Sequence, residues 1–143
     1  MCSNCGYSGV GSCQDSFAEL SFYTLAQPRP PFIHQLAVDA YAAQHLDESM
    51  SPIQRLFGLM GLCMVCGHGA TGYDVQMAHV AKSKDPKRAD WPLLEVRRLS
   101  FQMNVGDVLA ADDRDAAIRQ WVETTWAAYE YAHPIIRKFC KPG

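Results

Sequence analysis

The sequence predicts an all-α protein, a bundle of four principal helices with short extra helices. Apolar residues recur at helical spacing over most of the chain, which is the pattern of helices with one buried face. Several of these segments begin with a Ser, Thr or Asn that is followed three residues later by an acid or an amide, the pattern of a helix N-terminus. At 143 residues the chain is predicted to form a single domain over residues 1–143.

The first two helices are predicted on either side of a proline-rich segment. Ser12-Cys-Gln-Asp15 resembles a capping box, and Phe17 and Leu20 follow it at helical spacing. Pro28-Arg-Pro-Pro31 ends this helix, because proline supplies no backbone amide. A second helix is predicted from Phe32 to His45.

The third helix has the clearest beginning and the most apolar sequence. Ser51-Pro-Ile-Gln54 combines an N-cap serine with a proline in the first turn and a glutamine that completes the capping box. The helix is predicted from Ile53 to about Val65, with Gly67 and Gly69 ending it. Because it is apolar on nearly every side, it is either central to the bundle or part of a dimer face, so a homodimer is one expected state.

A fourth helix is predicted to begin at Thr71-Gly-Tyr-Asp74 and to end in an exposed polar loop at residues 82–90. The next segment, Trp91 to Phe101, gives no clear prediction, although its apolar residues could line a short extended piece.

The C-terminal part of the chain is predicted to hold a short helix and a long one. Asn104 caps the short helix, which reaches Ala111. Asp112 or Asp113 caps the last helix, which is predicted to be the longest and to kink or end at Pro134.

The composition excludes several classes of function. A net charge of -2 provides no basic surface for nucleic acid, so no nucleic-acid partner is expected. No segment approaches the roughly 18 apolar residues that cross a bilayer, and no signal peptide is recognisable, so a cytoplasmic location without membrane association is expected. Thiols stay reduced there, so the six cysteines are predicted to be metal ligands or core residues before disulfides.

The first thirteen residues predict a zinc knuckle. Cys2 and Cys5 form a CxxCG motif, and Cys13 lies at the predicted start of helix one. Thiolates and imidazoles are preferred zinc ligands. Antiparallel packing of helices one and two would bring His45 to the same place, which predicts a closed structural site of Cys2, Cys5, Cys13 and His45. Two alternatives stay open: a solvent-exposed His45, and a Cys2–Cys5 disulfide that releases zinc.

A second cluster is predicted at the far end of helix three. The same antiparallel packing would bring His34 towards Cys63, Cys66 and His68, which could form a second metal site or a reactive pocket. Cys63 could instead be an ordinary buried core residue. Alternatively, the Cys63-x-x-Cys66 pair could join the N-terminal knuckle in one four-thiolate site. Cys140 is expected to take no part.

Four motifs carry a resemblance to a known family. They are the opening CxxCG, SCQxxFxEL at residues 12–20, HxLxVDxYxxQH at residues 34–45, and SPxxxLxGL at residues 51–59. With a C-terminal helix that carries spaced tryptophans, they resemble a family of small bacterial proteins known only as a domain of unknown function. The resemblance implies that the fold is built around Cys2, Cys5, Cys13, His34 and His45. It also implies that the Cys63/Cys66 pair is not a regular family feature.

Two functional hypotheses follow. The first is a zinc-stabilised helical module that binds a ligand or a protein partner, with a mainly structural metal. The second is a metal- or thiol-dependent enzyme with a pocket near His34, Cys63 and Cys66. The sequence contains no phosphate-binding glycine loop, nucleophile elbow or HExxH helix. Whether the protein is an enzyme is therefore left open by the sequence.

Overall fold

The computed structural model describes residues 1–27, 32–85 and 91–140, and every regular element in these ranges is a helix. The prediction of an all-α fold is confirmed. A 3₁₀ turn, Glu130–Ala132, connects the last two of the seven α-helices in these ranges. The α-helices are α1 (Cys13–Leu25), α2 (Ile33–Ala43), α3 (Pro52–His68), α4 (Gly72–Ser83), α5 (Val105–Ala110), α6 (Arg114–Ala128) and α7 (His133–Ile136).

The predicted capping residues begin the helices. The side chains of Ser12, Ser51 and Thr71 each accept a hydrogen bond from the backbone N–H three residues later. Asn104 accepts from the amide of the second residue of α5. Of the two aspartates proposed for α6, Asp113 is the cap. Each cap satisfies a backbone donor that has no partner inside its helix.

Two predictions about helix length are wrong. At 17 residues α3 is the longest helix of the described chain, whereas α6 has 15. Helix α3 continues through His68 because its C-cap is Gly69, which has a φ of 66° in the left-handed region that glycine adopts at little cost. Helix α6 ends at Ala128, and Pro134 lies in the first turn of α7, where its missing amide costs no hydrogen bond.

The predicted loop at residues 82–90 begins later than expected. Lys82 and Ser83 form the last turn of α4, and residues 86–90 lie outside the described residues, as do the predicted helix-ending residues 28–31.

Residues 91–103 form neither helix nor strand. Side chains from the bundle hold this segment by its carbonyl oxygens. Arg55 donates to Leu94 O at 2.6 Å, and Gln44 donates to Met103 O at 2.7 Å. These contacts come from residues distant in sequence, so the local pattern could not predict the conformation.

Helix α3 is the centre of the bundle. It packs against α2, α4, α6 and α7, and Leu56, Leu59 and Leu62 are completely buried within one chain. Its apolar faces therefore need no dimer partner to cover them. Although α3 is strongly apolar, no helix in the described ranges is long and apolar enough to cross a membrane.

A close contact between α2 and α3 depends on Gly61. A Cβ atom at this position would lie 2.0 Å from Asp39 Oδ2 and 3.0 Å from a Val75 methyl group. The absent side chain leaves room for the Asp39 carboxyl, which is only 4% exposed and accepts a hydrogen bond from Gln35 Nε2 at 3.0 Å. Burial raises the pKa of Asp39 well above its usual value of 3.8.

We expect Gly61→Ala to destabilise the protein by about 1–3 kcal/mol, because the new methyl group overlaps a buried carboxyl that cannot move into solvent. Urea unfolding measures this change. Gly67→Ala in the same helix is the matched control. Its Cβ would meet nothing within 4 Å, so helix propensity should leave stability unchanged or raise it by up to about 1 kcal/mol. Equal effects of the two substitutions would contradict the packing argument.

We expect Asp39→Asn to stabilise the protein at pH 7 but not near pH 4. The raised pKa means that native Asp39 keeps its proton where the unfolded chain has lost it, so wild-type stability falls as pH rises above about 3.8. Asparagine does not titrate and can still accept from Gln35. Thermal unfolding from pH 4 to pH 7 measures the difference between the variant and wild type. The melting temperature should shift by about 2–4 °C for each kcal/mol of unfolding free energy. The exposed Asp112→Asn variant is the control. A difference in melting temperature between Asp39→Asn and wild type that stays constant with pH would contradict the raised pKa of Asp39.

Candidate metal centre

Three thiols and one imidazole meet where α1 begins and α2 ends. The Sγ atoms of Cys2, Cys5 and Cys13 and a ring nitrogen of His45 all lie within 4.8 Å of one another. No other group of three or more His, Cys, Asp or Glu side chains in the described ranges meets this criterion. The structure thus brings together the four residues of the first predicted site, here called the Cys₃His centre.

A tight turn places the first two sulfurs. The Gly6 amide donates to Cys2 O at 2.9 Å, and the Cys2 amide donates to Tyr7 O at 2.7 Å. Gly6 has a φ of 82°, a conformation that a residue with a side chain rarely adopts. The turn folds the backbone around the two thiols, and Cys5 is only 3% exposed.

The helix ends supply the other two ligand atoms. Cys13 is the first residue of α1, and His45 lies two residues beyond the end of α2. The Tyr41 ring stacks on both Phe17 of α1 and His45, with centroid distances of 4.2 and 4.1 Å. This aromatic stack fixes the end of α2 beside the start of α1.

A backbone hydrogen bond fixes the orientation of the imidazole. His45 Nδ1 lies 2.7 Å from Tyr41 O, and a carbonyl oxygen can only accept, so Nδ1 carries the hydrogen. The lone pair of Nε2 is then free to bind a metal. Nε2 lies 3.4 Å from Cys13 Sγ and 3.7 Å from Cys2 Sγ.

These separations fit a tetrahedral metal site. With metal–sulfur and metal–nitrogen bonds of about 2.3 and 2.0 Å, neighbouring ligand atoms in a tetrahedral zinc site lie roughly 3.5–3.8 Å apart. The two distances from His45 Nε2 are close to this range. The centre could therefore hold a metal ion with little rearrangement, and its donor set suits a thiolate-binding metal.

The sulfurs differ in how readily they ionise. Burial opposes ionisation of Cys2, but the amides of Cys5 and Asn4, with the Cys5 and His45 side chains, lower its pKa to about 6. Burial raises the pKa of Cys5 to about 12, and the Cys2 and Cys13 sulfurs add to this effect. Three thiolates cannot coexist here without a cation, and a bound metal would supply that charge.

Sequence reasoning missed the role of Tyr41. The Tyr41 ring and carbonyl contact His45, and the Tyr41 hydroxyl lies 3.6 Å from Cys13 Sγ. One residue therefore contacts two of the four ligands. The available signal was its position four residues before His45 in a predicted helix, which places both side chains on one face.

The second predicted set is only partly assembled. Cys63, Cys66 and His68 line one cavity together with Trp126 and Arg137. His34 is not among its lining residues, and its Nδ1 lies instead 2.8 Å from Thr24 Oγ1. The structure therefore does not bring His34 to the other three.

A disulfide joins Cys63 to Cys140, which corrects two expectations. The cysteines were predicted to be metal ligands or core residues before disulfides, and Cys140 was predicted to take no part. Cys140 is 1% exposed, so it is a core residue that fixes the end of the described chain to α3. The four-thiolate alternative also fails here, because Cys63 and Cys66 lie outside the Cys₃His centre. Cys2 and Cys5 are free thiols and not a disulfide.

A cleft of about 280 Å³ lies beside the knuckle and is here called the knuckle cleft. Ser3 and Asn4, between the two knuckle cysteines, form part of its wall, and Gln44, the neighbour of His45, also lines it. Arginines and acids share its lining. Gln44 Nε2 donates to Met103 O and to Thr125 Oγ1, while its buried Oε1 has no hydrogen-bond partner in the described residues.

Comparison with known families gives one match. The model of a family of unknown function, DUF5946, matches residues 1–130. The chain therefore belongs to this family, and the resemblance inferred from its motifs is confirmed. The matched range includes all four residues of the Cys₃His centre and ends before Cys140. No curated protein and no solved structure matches the chain.

We expect Tyr41→Phe to weaken metal binding at the Cys₃His centre by about tenfold, because outer groups that contact metal ligands contribute to affinity. The substitution removes the hydroxyl near Cys13 and keeps the ring stack and the carbonyl. Competition between the protein and a chromogenic chelator for Zn²⁺ measures the affinity. Tyr23→Phe is the matched control, because that hydroxyl binds Asp115. Equal affinities of the two variants would contradict this role for Tyr41.

Proposed function

We propose that the protein is a zinc-stabilised helical binding module, in which Cys2, Cys5, Cys13 and His45 hold one structural zinc ion. The observation that carries this proposal is the convergence of the four ligand atoms within 4.8 Å. A set of three thiolates and one imidazole fills a tetrahedral zinc ion completely, and closed sites of this kind are structural.

The zinc would hold in place a segment that has no helix of its own. Residues before Cys13 form turns and bends, so no run of helical hydrogen bonds holds them. Tyr7 nevertheless packs into the core, since a Cβ on Gly106 of α5 would lie 2.9 Å from its ring. Its hydroxyl also donates to Val10 O at 2.8 Å. A metal bound at Cys2 and Cys5 would keep Tyr7 on α5.

The knuckle cleft is the binding face that this arrangement supports. The zinc-held turn forms one wall through Ser3 and Asn4, and Arg97 and Arg98 from the irregular segment contribute charge. Asp47 and Glu48 also line the cleft, so a polar ligand or partner segment fits it better than an apolar one. Because one wall depends on the metal, binding there would depend on zinc.

The alternative of a thiol-dependent enzyme draws no support from Cys66. Desolvation of its sulfur and the nearby Glu123 carboxylate raise the pKa of Cys66 to about 11, although the residue as a whole is exposed. A catalytic cysteine needs a lowered value. Burial also lowers the pKa of His34, and this residue lies apart from the thiols. The binding module is therefore the better-supported function.

We expect Cys13→Ser to abolish stoichiometric zinc binding in protein whose Cys63–Cys140 disulfide is intact. Native mass spectrometry with metal analysis measures the content. Wild type should carry one zinc per chain, and Cys66→Ser, which alters a thiol outside the centre, should carry the same. A wild-type chain that binds no zinc after purification without chelators would contradict the proposal.

Cobalt substitution separates a structural site from a catalytic one. A closed tetrahedral site should give a thiolate–cobalt spectrum that added azide does not change, because no coordination position is free. A spectrum that shifts with azide would instead indicate a bound water and favour the metal-dependent enzyme.

A further inference from the structure

We propose a second metal site, formed by Cys63, Cys66, His68 and Cys140 when the Cys63–Cys140 disulfide is reduced. It lies where the end of α3 meets the residues that follow α7. It goes beyond the structural zinc of the Cys₃His centre, and it replaces His34 of the sequence prediction with Cys140.

A shared cavity gathers three of the four residues. Cys63, Cys66 and His68 line a cavity of about 440 Å³, here called the thiol cavity. Cys63 is buried, whereas Cys66 is exposed. The cavity therefore connects a core sulfur with the surface, which gives an ion a path of entry.

Cys140 supplies the fourth ligand. Its Sγ is bonded to Cys63 and lies 3.8 Å from His68 Nε2. This separation is close to the roughly 3.5 Å expected between a sulfur and a nitrogen on one tetrahedral zinc ion. The two sulfurs would separate from bonding distance to about 3.8 Å to bind the same ion. The Cys66 side chain would also turn towards them, because these four groups do not converge within 4.8 Å while the disulfide is intact.

Helix geometry allows Cys66 to join Cys63 through a shared metal ion but not through a disulfide. Residues three apart on a helix have Cβ atoms about 5–6 Å apart, whereas a disulfide needs about 3.5–4.5 Å. Two thiolates on one zinc ion tolerate the wider spacing. Cys66 is thus better placed to share an ion with Cys63 than to exchange disulfides with it.

The donor chemistry matches that of the Cys₃His centre. Three thiolates and one imidazole on Zn²⁺ leave a net charge of -1, and the Arg137 guanidinium lines the thiol cavity as a counterion. Arg119 and Glu123 lie in the adjoining depression, which Cys66 also lines. One acid and two arginines around the site leave an excess of positive charge that suits an anionic zinc–thiolate group.

The disulfide and the metal exclude each other. A dithiol reductant would transfer two electrons and two protons to the Cys63 and Cys140 sulfurs, breaking their bond, and would itself close to a cyclic disulfide. The three thiols then release three protons as the ion binds. Metal occupancy at this site therefore reports the redox state of its surroundings.

Metal counting before and after reduction tests the site. Purified protein is divided, and one half is treated with a phosphine reductant, which is removed before anaerobic titration with Co²⁺. The reduced wild type is expected to bind two equivalents, with a larger thiolate charge-transfer absorption, and the oxidised wild type one. Reduced protein that binds no more cobalt than oxidised protein overturns the proposal.

Variants assign the second equivalent to its ligands. Reduced Cys140→Ser and Cys66→Ser are each expected to bind one equivalent, and reduced His34→Ala two. Cys66 is exposed, so its variant should fold normally even if the buried Cys140 variant does not. Loss of the second equivalent in His34→Ala, or its retention in Cys66→Ser, overturns this ligand set. Reduced Cys13→Ser should keep one equivalent, which separates this site from the Cys₃His centre.

Discussion

The placement of the N-terminal segment depends on one constraint, the meeting of the start of α1 with the end of α2. The Phe17–Tyr41–His45 stack holds these ends together. Across the junction, Cys13 Sγ lies 3.4 Å from His45 Nε2. The turn at Cys2 and Cys5 has no helix of its own, and its two sulfurs lie against this junction. A packing contact between two helices thus becomes the base of a four-ligand centre.

This placement has an electrostatic consequence. The cluster contains one thiol that ionises easily, Cys2, and one that resists ionisation strongly, Cys5. Such a pair cannot form two thiolates unaided, because burial raises the pKa of Cys5. It is well suited to a metal, whose charge removes that penalty and stabilises all three thiolates together. The physical argument for a metal therefore comes from the convergence of three sulfurs and one imidazole within 4.8 Å, where the burial of Cys5 opposes its ionisation without a cation.

The sequence predicted the parts of the fold that local chemistry determines. Capping residues such as Ser12, Ser51 and Thr71 marked helix starts correctly, because the bonds they make are within three residues. His45 was predicted as a ligand because antiparallel packing of adjacent helices is a short-range rule. Residues 91–103 could not be predicted, since donors such as Arg55 and Gln44 hold their carbonyls across the bundle. Cys140 was missed for the same reason: no spacing pattern connects it to Cys63, which is 77 residues earlier.

Each end of the described chain is a segment without a helix that is attached to the bundle, and the two attachments differ. Residues 1–12 and residues 137–140 both lie outside helices, and each is connected to the bundle through cysteine. At the N-terminus the partners are thiols and an imidazole with no disulfide among them, and the proposed zinc ion would crosslink them. At the other end a disulfide already joins Cys140 to α3, and His68 and Cys66 lie beside it.

Because a disulfide holds this segment without an ion, the second site can lose its metal while the segment stays attached. Occupancy there can therefore follow redox conditions without releasing the segment, whereas loss of the proposed N-terminal zinc would leave residues 1–12 without a crosslink.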